Sequence, residues 1–144
     1  MKELQIEIYP HDSEVEVAHK INTMELENWI NHLTYVRGEL KNLVGFYNAQ
    51  PIEKRMGQEK IIQHFEMKKV DNDVILSSLI NFKNSRTAIA ECEDTSCDMV
   101  FLQEHEKCRR MYLFHIDKYR KLKDQFFSML QGKFSASKKE TMIN

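Results

Sequence analysis

Three side chains in the last third of the chain, His105, Cys108 and His115, are of types that bind zinc or iron. In a helix, His105 and Cys108 would lie on one face, because residues three apart are neighbours there. His115 would lie about 15 Å further along the axis than His105, too far for the two to share an ion. We therefore expect a hydrogen-bonded core histidine beside a buried thiol. A zinc, iron or small-ligand site is the alternative.

Motifs that would indicate catalysis are missing from the sequence. It contains no Gly-x-Ser-x-Gly elbow, no glycine-rich phosphate loop and no dinucleotide-binding fingerprint. The thiol and imidazole pair of Cys108 and His105 is expected to point inward, where a cysteine is normally inert. The sequence thus predicts a protein with no catalytic residues and no bound cofactor.

The segment from Glu91 to Asp98 contains four acidic residues and two cysteines around a tight turn. Acidic residues at the start of a helix meet its positive dipole end, and Thr95 followed by Asp98 predicts a helix cap. The three cysteines have no framework spacing, which predicts reduced thiols and a cytoplasmic protein. A reversible disulfide between Cys92 and Cys97 is the alternative.

The last predicted helix has a basic outer face. Its members are Arg109, Arg110, Lys118, Arg120, Lys121 and Lys123. Residues 107–140 hold ten bases and three acids, whereas residues 1–30 hold seven acids and two bases. Such a face could bind phosphates, so nucleic-acid binding is a second alternative function. The net charge is only −1, and attraction between the two ends of the chain is the favoured explanation of the asymmetry.

Apolar residues repeat at alternating spacings of three and four along most of the chain, which is typical of helices that pack over their whole length. The stripe of the last helix, predicted for residues 97–131, is Phe101, His105, Cys108, Tyr112, His115, Tyr119, Leu122, Phe126 and Met129. The same spacing predicts helices at about residues 23–48 and 52–91. The low contents of glycine (4) and proline (2) agree with a helical protein.

These elements predict one all-α domain, an antiparallel three-helix bundle of long, coiled-coil-like helices in residues 22–131. Residues 1–21 alternate apolar and polar side chains around Pro10, which predicts an extended or β-hairpin arm. A competing interpretation starts a helix at Ser13, with Glu16 completing a capping box. Residues 132–144 are predicted to form a flexible polar tail. No run is long and apolar enough to predict a membrane span.

The helix lengths also predict which residues meet. Folding at the two turns places Asn72 level with Tyr119, and Arg86 level with Glu104 and His105. Asn72, Arg86 and Tyr119 are therefore predicted to be buried polar residues that fix the register. The first helix would leave one end of the bundle uncovered, with four apolar residues exposed at this tip, namely Phe82, Ile89, Phe101 and Leu102. Since such exposure is unfavourable, we expect cover from the N-terminal arm or from a second subunit in a homodimer.

The run ECEDTSCDMVFLQEHEKCRRMYLFHIDKYRKLKDQFF, residues 91–127, resembles uncharacterised small helical proteins of Bacteroidetes bacteria. The resemblance implies a bacterial, cytoplasmic origin, and it implies no activity, cofactor or catalytic residue. Together with the stripes and the uncovered tip, the sequence predicts a non-catalytic helical protein. It would act through protein–protein contacts or self-association.

Overall fold

The computed structural model describes residues 6–143, with side chains described for residues 6–132. The described chain forms α1 (Glu14–Ala49), α2 (Ile52–Arg55), α3 (Glu59–Ser85), a 3-10 helix (Arg86–Glu91) and α4 (Thr95–Ile143). The all-α prediction is confirmed. No strand occurs in residues 6–143, so the predicted β-hairpin is absent from the described part of the arm, and residues 1–5 lie outside it. None of the described helices is long and apolar enough to cross a membrane.

Helix α1 begins at Glu14, nine residues before the predicted start at residue 23. The Ser13 hydroxyl accepts a hydrogen bond from the Glu16 N–H at 3.1 Å, and the Glu16 carboxylate accepts one from the Ser13 N–H at 3.3 Å. This capping box pairs two N–H groups that the first helical turn would leave free. The competing interpretation of the sequence, a helix that starts at Ser13, is thus correct. The alternation of apolar and polar residues could not exclude it, because alternation over so few residues is compatible with either structure.

The helix predicted for residues 52–91 is interrupted twice. Gly57 has a φ of +88°, a conformation that side chains disfavour, and the chain turns there from α2 into α3. The buried Gln58 holds this turn, since its amide donates to the Lys54 carbonyl at 2.9 Å and pairs with the Gln50 amide. At the other end, the last residues tighten into the 3-10 helix, as helix termini often do.

The corner before α4 is closed by a disulfide between Cys92 and Cys97. The disulfide that the sequence left as the alternative is thus the form present in the structure, whereas Cys108 is free and buried. The cap also differs from the predicted one, because the Asp94 carboxylate accepts the Cys97 N–H at 2.8 Å. Asp98, the predicted capping residue, instead accepts a hydrogen bond from His19 at 2.9 Å.

Reduction of the Cys92–Cys97 disulfide is expected to lower the free energy of unfolding by about 2 kcal/mol, because the bond restricts the unfolded chain over a short loop. Urea denaturation with and without a thiol reductant measures this difference. The double variant Cys92→Ser with Cys97→Ser is the control and should not respond to reductant. An equal unfolding midpoint for the wild type in both conditions would contradict the prediction.

Helix α4 continues to Ile143, through the region predicted to be a flexible tail. Gly132 alone lowers helix stability by about 1 kcal/mol relative to alanine, which does not suffice to end a long helix. In the structure the helical backbone continues through Gly132 and includes residues 132–143. The side chains of residues 133–144 lie outside the described part of the protein.

The three long helices pack side by side around one core. Asn72 of α3 contacts Leu33 of α1, and Arg86 contacts His19, so α3 runs antiparallel to α1. The contact of Phe65 with Phe126, whose rings are 5.4 Å apart edge to face, belongs to the antiparallel pair of α3 and α4. The largest apolar side chains with almost no exposure are Phe65, Phe126, Leu26, Leu33, Leu40, Leu76 and Leu79.

Candidate functional site

A repeated set of contacts joins α1 and α4, which run parallel. The pairs are Glu25 with His105, His32 with Tyr112, Glu39 with Tyr119, and Phe46 with Phe126. We call this set the α1–α4 ladder; its first three pairs are hydrogen-bonded, and the fourth is an edge-to-face ring contact. Successive members lie seven residues apart, which returns them to the same side of each helix. The α4 members belong to the predicted stripe, but the α1 members flank the apolar stripe of α1 and were missed.

The first step of the ladder contains a charged network. The buried His105 donates from Nε2 to Glu25 Oε1 at 2.7 Å, and Arg109 donates to the same oxygen at 2.5 Å. The ring of His105 stacks on Trp29, with centroids 4.9 Å apart. Burial lowers the pKa of His105 in spite of the nearby carboxylate. Burial alone would raise the pKa of Glu25, but the bonds from Arg109 and His105 outweigh it, and this pKa is lowered.

Asn72 lies at the centre of the core and joins all three long helices. Its amide nitrogen donates to the Leu33 carbonyl at 2.9 Å, and its amide oxygen accepts from His115 Nε2 at 2.9 Å. The predicted partner, Tyr119, lies one helical turn further along α4 and instead donates to Glu39. Burial lowers the pKa of His115 and favours the neutral imidazole that donates this bond.

Arg86 holds the first turns of α1 against the tip. Its Nη2 donates to the His19 carbonyl and to the Thr23 hydroxyl, both at 2.7 Å, so the predicted pairing with Glu104 and His105 is wrong. The prediction failed because it began α1 at residue 23 and thus omitted the segment that carries His19. Among the described residues, Nε and Nη1 of this buried guanidinium have no hydrogen-bond partner.

The four predicted tip residues are half-buried, and α1 extends over this end of the molecule. They are Phe82, Ile89, Phe101 and Leu102. Phe82 lies between the Arg86 guanidinium, 5.7 Å from the ring centroid, and the His105 ring, 6.3 Å away. The sequence predicted cover by the N-terminal segment or by a second subunit, and the segment itself, as a helix, supplies cover here.

The predicted metal ligands do not come together. His105 is bonded to Glu25 and His115 to Asn72, and burial raises the pKa of the Cys108 thiol. Within the described part of the chain, no three histidine, cysteine, aspartate or glutamate side chains are arranged to hold a metal ion. His105 and His115, named for the zinc or iron alternative, thus serve as contacts between helices, and Cys108 is a buried free thiol.

Half of the predicted basic face is neutralised by acids. The ion pairs are Arg109 with Glu25 and Glu106, Lys121 with Asp117 at 3.0 Å, and Lys123 with Glu39 at 2.7 Å. Lys118 lies over the Phe114 ring at 4.6 Å. In the described structure, Arg110 and Arg120 form no ion pair. The face therefore presents less free positive charge than the sequence suggests, which weakens the nucleic-acid alternative.

Lowering the pH from about 7.5 to about 5.5 is expected to destabilise the fold. The pKa values of His105 and His115 are lowered by burial, whereas histidines of the unfolded chain bind protons near pH 6.5. The unfolded state therefore binds more protons below this pH, and the free energy of unfolding falls as pH falls. Urea unfolding, followed by the fluorescence of Trp29, measures the effect.

The control for this pH dependence is a pair of histidine variants. His115→Gln should flatten the pH profile, whereas His11→Gln, at an exposed position, should leave it unchanged. A wild-type unfolding midpoint that is the same at both pH values would contradict the assignment.

A surface groove between α3 and α4 has room for a ligand or a partner. It consists of two cavities of about 570 and 580 Å³ that share His64 and Gln125. Its apolar lining residues are Ile61, Met67, Phe114, Leu122 and Met129. Their position between two packed helices makes this α3–α4 groove the candidate functional site.

Exposed apolar side chains lie in the α3–α4 groove and on the outer side of α3. Met67 and Phe114 line the groove and are 65% and 64% exposed, and Val70 and Val74 on the outer side of α3 are 64% and 61% exposed. We call these four residues the α3–α4 face. The outward Phe114 was noted in the sequence, but the α3 residues were missed. Their spacing of three and four, opposite the core stripe, is the signal that could have found them.

The geometry of the site is the available guide to function. The resemblance of residues 91–127 to helical proteins of Bacteroidetes bacteria stays a prediction. Comparisons with protein-family models, with curated proteins and with solved structures found no match to this chain.

Proposed function

We propose that this protein is a non-catalytic helical bundle that acts by contact of its α3–α4 face with other protein chains. The observation that carries the proposal is the exposure of Met67, Val70, Val74 and Phe114, each above 60% in the folded chain. Clustered exposed apolar surface is typical of interaction sites. Burial of such surface stabilises a complex by about 25 cal/mol per Å² before the costs of association are subtracted.

The hydrogen bonds of the buried titratable side chains support a structural role for these groups. His19, His105 and His115 each bond a partner on another helix, as does Tyr119. Groups engaged in this way hold the helices in register and have no free path to a substrate. This arrangement favours a protein whose function lies on its surface.

The predicted homodimer is one form of this proposal. The sequence predicted a dimer because one end of the bundle would be uncovered. Since α1 reaches over that end, a dimer would use the α3–α4 face instead. The predicted cytoplasmic location also belongs to the proposal. It requires that Cys92 and Cys97 be reduced in the cell, since disulfides are rare in the cytosol. Thiol labelling of the protein directly after cell lysis tests this requirement.

Photo-crosslinking in the producing cells tests the proposed contact face. A photoreactive phenylalanine analogue is placed at Met67, on the α3–α4 face, or at Tyr35, which is 66% exposed on α1 and serves as the matched control. We expect discrete protein adducts from position 67 and few from position 35. An adduct of two chains would indicate the homodimer. The absence of protein adducts from position 67, or equal yields from both positions, would overturn the proposal.

A further inference from the structure

We propose that the α3–α4 groove binds an acidic amphipathic helix of another protein. This inference rests on the proposed function and names the chemistry of the partner. Along α4 the groove runs from Phe114 to Met129, which corresponds to about 22 Å of helix. A partner helix of about four turns fits this length. It would complete a four-helix arrangement by packing into the space between two neighbours.

The apolar parts of the groove specify the inner face of the partner. Phe114 and Met67 stand at the rim, and Leu122 lies below them in the same cavity. Large apolar anchors at spacings of three and four on the partner would bury these side chains together. The Lys118 ammonium, 4.6 Å from the Phe114 centroid, would then contact a ring shielded from water, where such contacts are stronger.

The charges of the groove indicate which side chains the partner helix would carry on either side of its apolar stripe. Two of the three acidic lining residues are neutralised within their own helix, in the pairs Lys68 with Asp71 and Lys121 with Asp117. In the described structure, Lys60 and Lys118 have no acidic partner, nor does Arg110, one turn before Phe114. Arg110 lies outside the lining, and Asp124 is the single unpaired acid of the described lining, so the two unpaired lysines leave the groove with a net charge of +1. The excess positive charge is complementary to glutamate or aspartate on both edges of an apolar stripe.

A nucleic acid is the other polyanion that a basic groove with an aromatic residue could attract. The lining has a net charge of only +1, with four lysines and three aspartates, which disfavours a strand that carries one negative charge per nucleotide. The exposed methionine and valines of α3 also offer no stacking surface for bases. An acidic helix with apolar anchors uses both the charge and the apolar rim, so we favour it over RNA or DNA.

Fluorescence anisotropy with defined probes tests the inference on the full chain. One probe is a labelled 16-residue peptide helix with a leucine and phenylalanine stripe flanked by glutamates. Its twin carries lysine at each glutamate position, and a single-stranded oligonucleotide is the third probe. At low salt we expect the acidic peptide to bind about tenfold more tightly than its twin and than the oligonucleotide. Its affinity should fall as salt is added.

A matched pair of double variants locates the binding. Phe114→Ala with Lys118→Glu alters the groove, and we expect it to weaken the acidic peptide about tenfold. Phe127→Ala with Arg120→Glu makes the same chemical changes elsewhere on α4, where Arg120 is close to His32 of α1, and should leave binding unchanged. Circular dichroism of both variants checks that they fold.

Three results would overturn the inference: no peptide binding, equal binding of the two peptides, or preferential binding of the oligonucleotide. If adducts still formed from position 67 in cells, the proposed contact function would stand and only the acidic partner would be wrong. A peptide affinity that weakens as the chain concentration rises, together with a two-chain adduct from position 67, would instead assign the groove to a second copy. That outcome would also overturn the inference.

Discussion

Replacing Asn72 with leucine is expected to lower the free energy of unfolding by about 2–3 kcal/mol. The substitution removes the acceptor of the His115 Nε2–H and the donor to the Leu33 carbonyl in a fully buried place. A buried donor without a partner has lost its hydrogen bonds to water and has gained none in return. The free-energy cost of this desolvation is larger than the net contribution of the bond itself. Urea denaturation followed by circular dichroism at pH 7.5 measures the change.

Two further variants separate the lost bond from the change in size. Asn81→Leu, at an exposed position of the same helix, should change stability by less than about 0.5 kcal/mol. The double variant Asn72→Leu with His115→Leu should recover much of the loss, because both polar partners are then absent. If Asn72→Leu alone were as stable as the wild type, Asn72 would have no part in fixing the register.

Replacing Phe126 with alanine is expected to cost about 3–5 kcal/mol, the largest effect of a single substitution that we predict here. Phe126 is 0% exposed and touches the rings of Phe65 and Phe46, so its removal leaves a cavity between all three long helices. Loss of the edge-to-face contacts adds to the loss of buried area. Thermal and urea unfolding both measure the effect.

The next residue supplies the control. Phe127 is 46% exposed, and Phe127→Ala should cost less than about 1 kcal/mol. Similar losses at the two positions would show that the end of the core around Phe126 is more loosely packed than the structure indicates.

The all-α class and the buried stripe of α4 could be predicted because the spacing of apolar residues reports directly which side of a helix faces the core. His105, Tyr119 and Phe126 are all buried, as their places in the stripe require. The start of α1 was harder to predict. The sequence alone allows a start at Ser13 or at residue 23, and the contacts of His19 with Arg86 and Asp98 favour the earlier start.

The candidate site was only partly visible in the sequence. The register prediction paired Asn72 with Tyr119 rather than His115, an error of one turn, because the 3-10 helix between α3 and α4 changes the length on which it depended. Such backbone changes depend on contacts at the corner, such as the Cys92–Cys97 disulfide, which no periodicity reports. The groove was missed for a similar reason, since it depends on the separation of two helices and not on the pattern of either one.

The α1–α4 ladder has a consequence for the order of folding. Its three hydrogen-bonded pairs each join residues 80 positions apart, so each must close an equally long loop. Loop-closure entropy rises only slowly with length, so no pair has an advantage over the others. Once one pair has formed, the next lies only two helical turns away. We therefore expect the ladder to form as one late, cooperative step after α3 has docked, and such long-range contacts are the kind that slow folding.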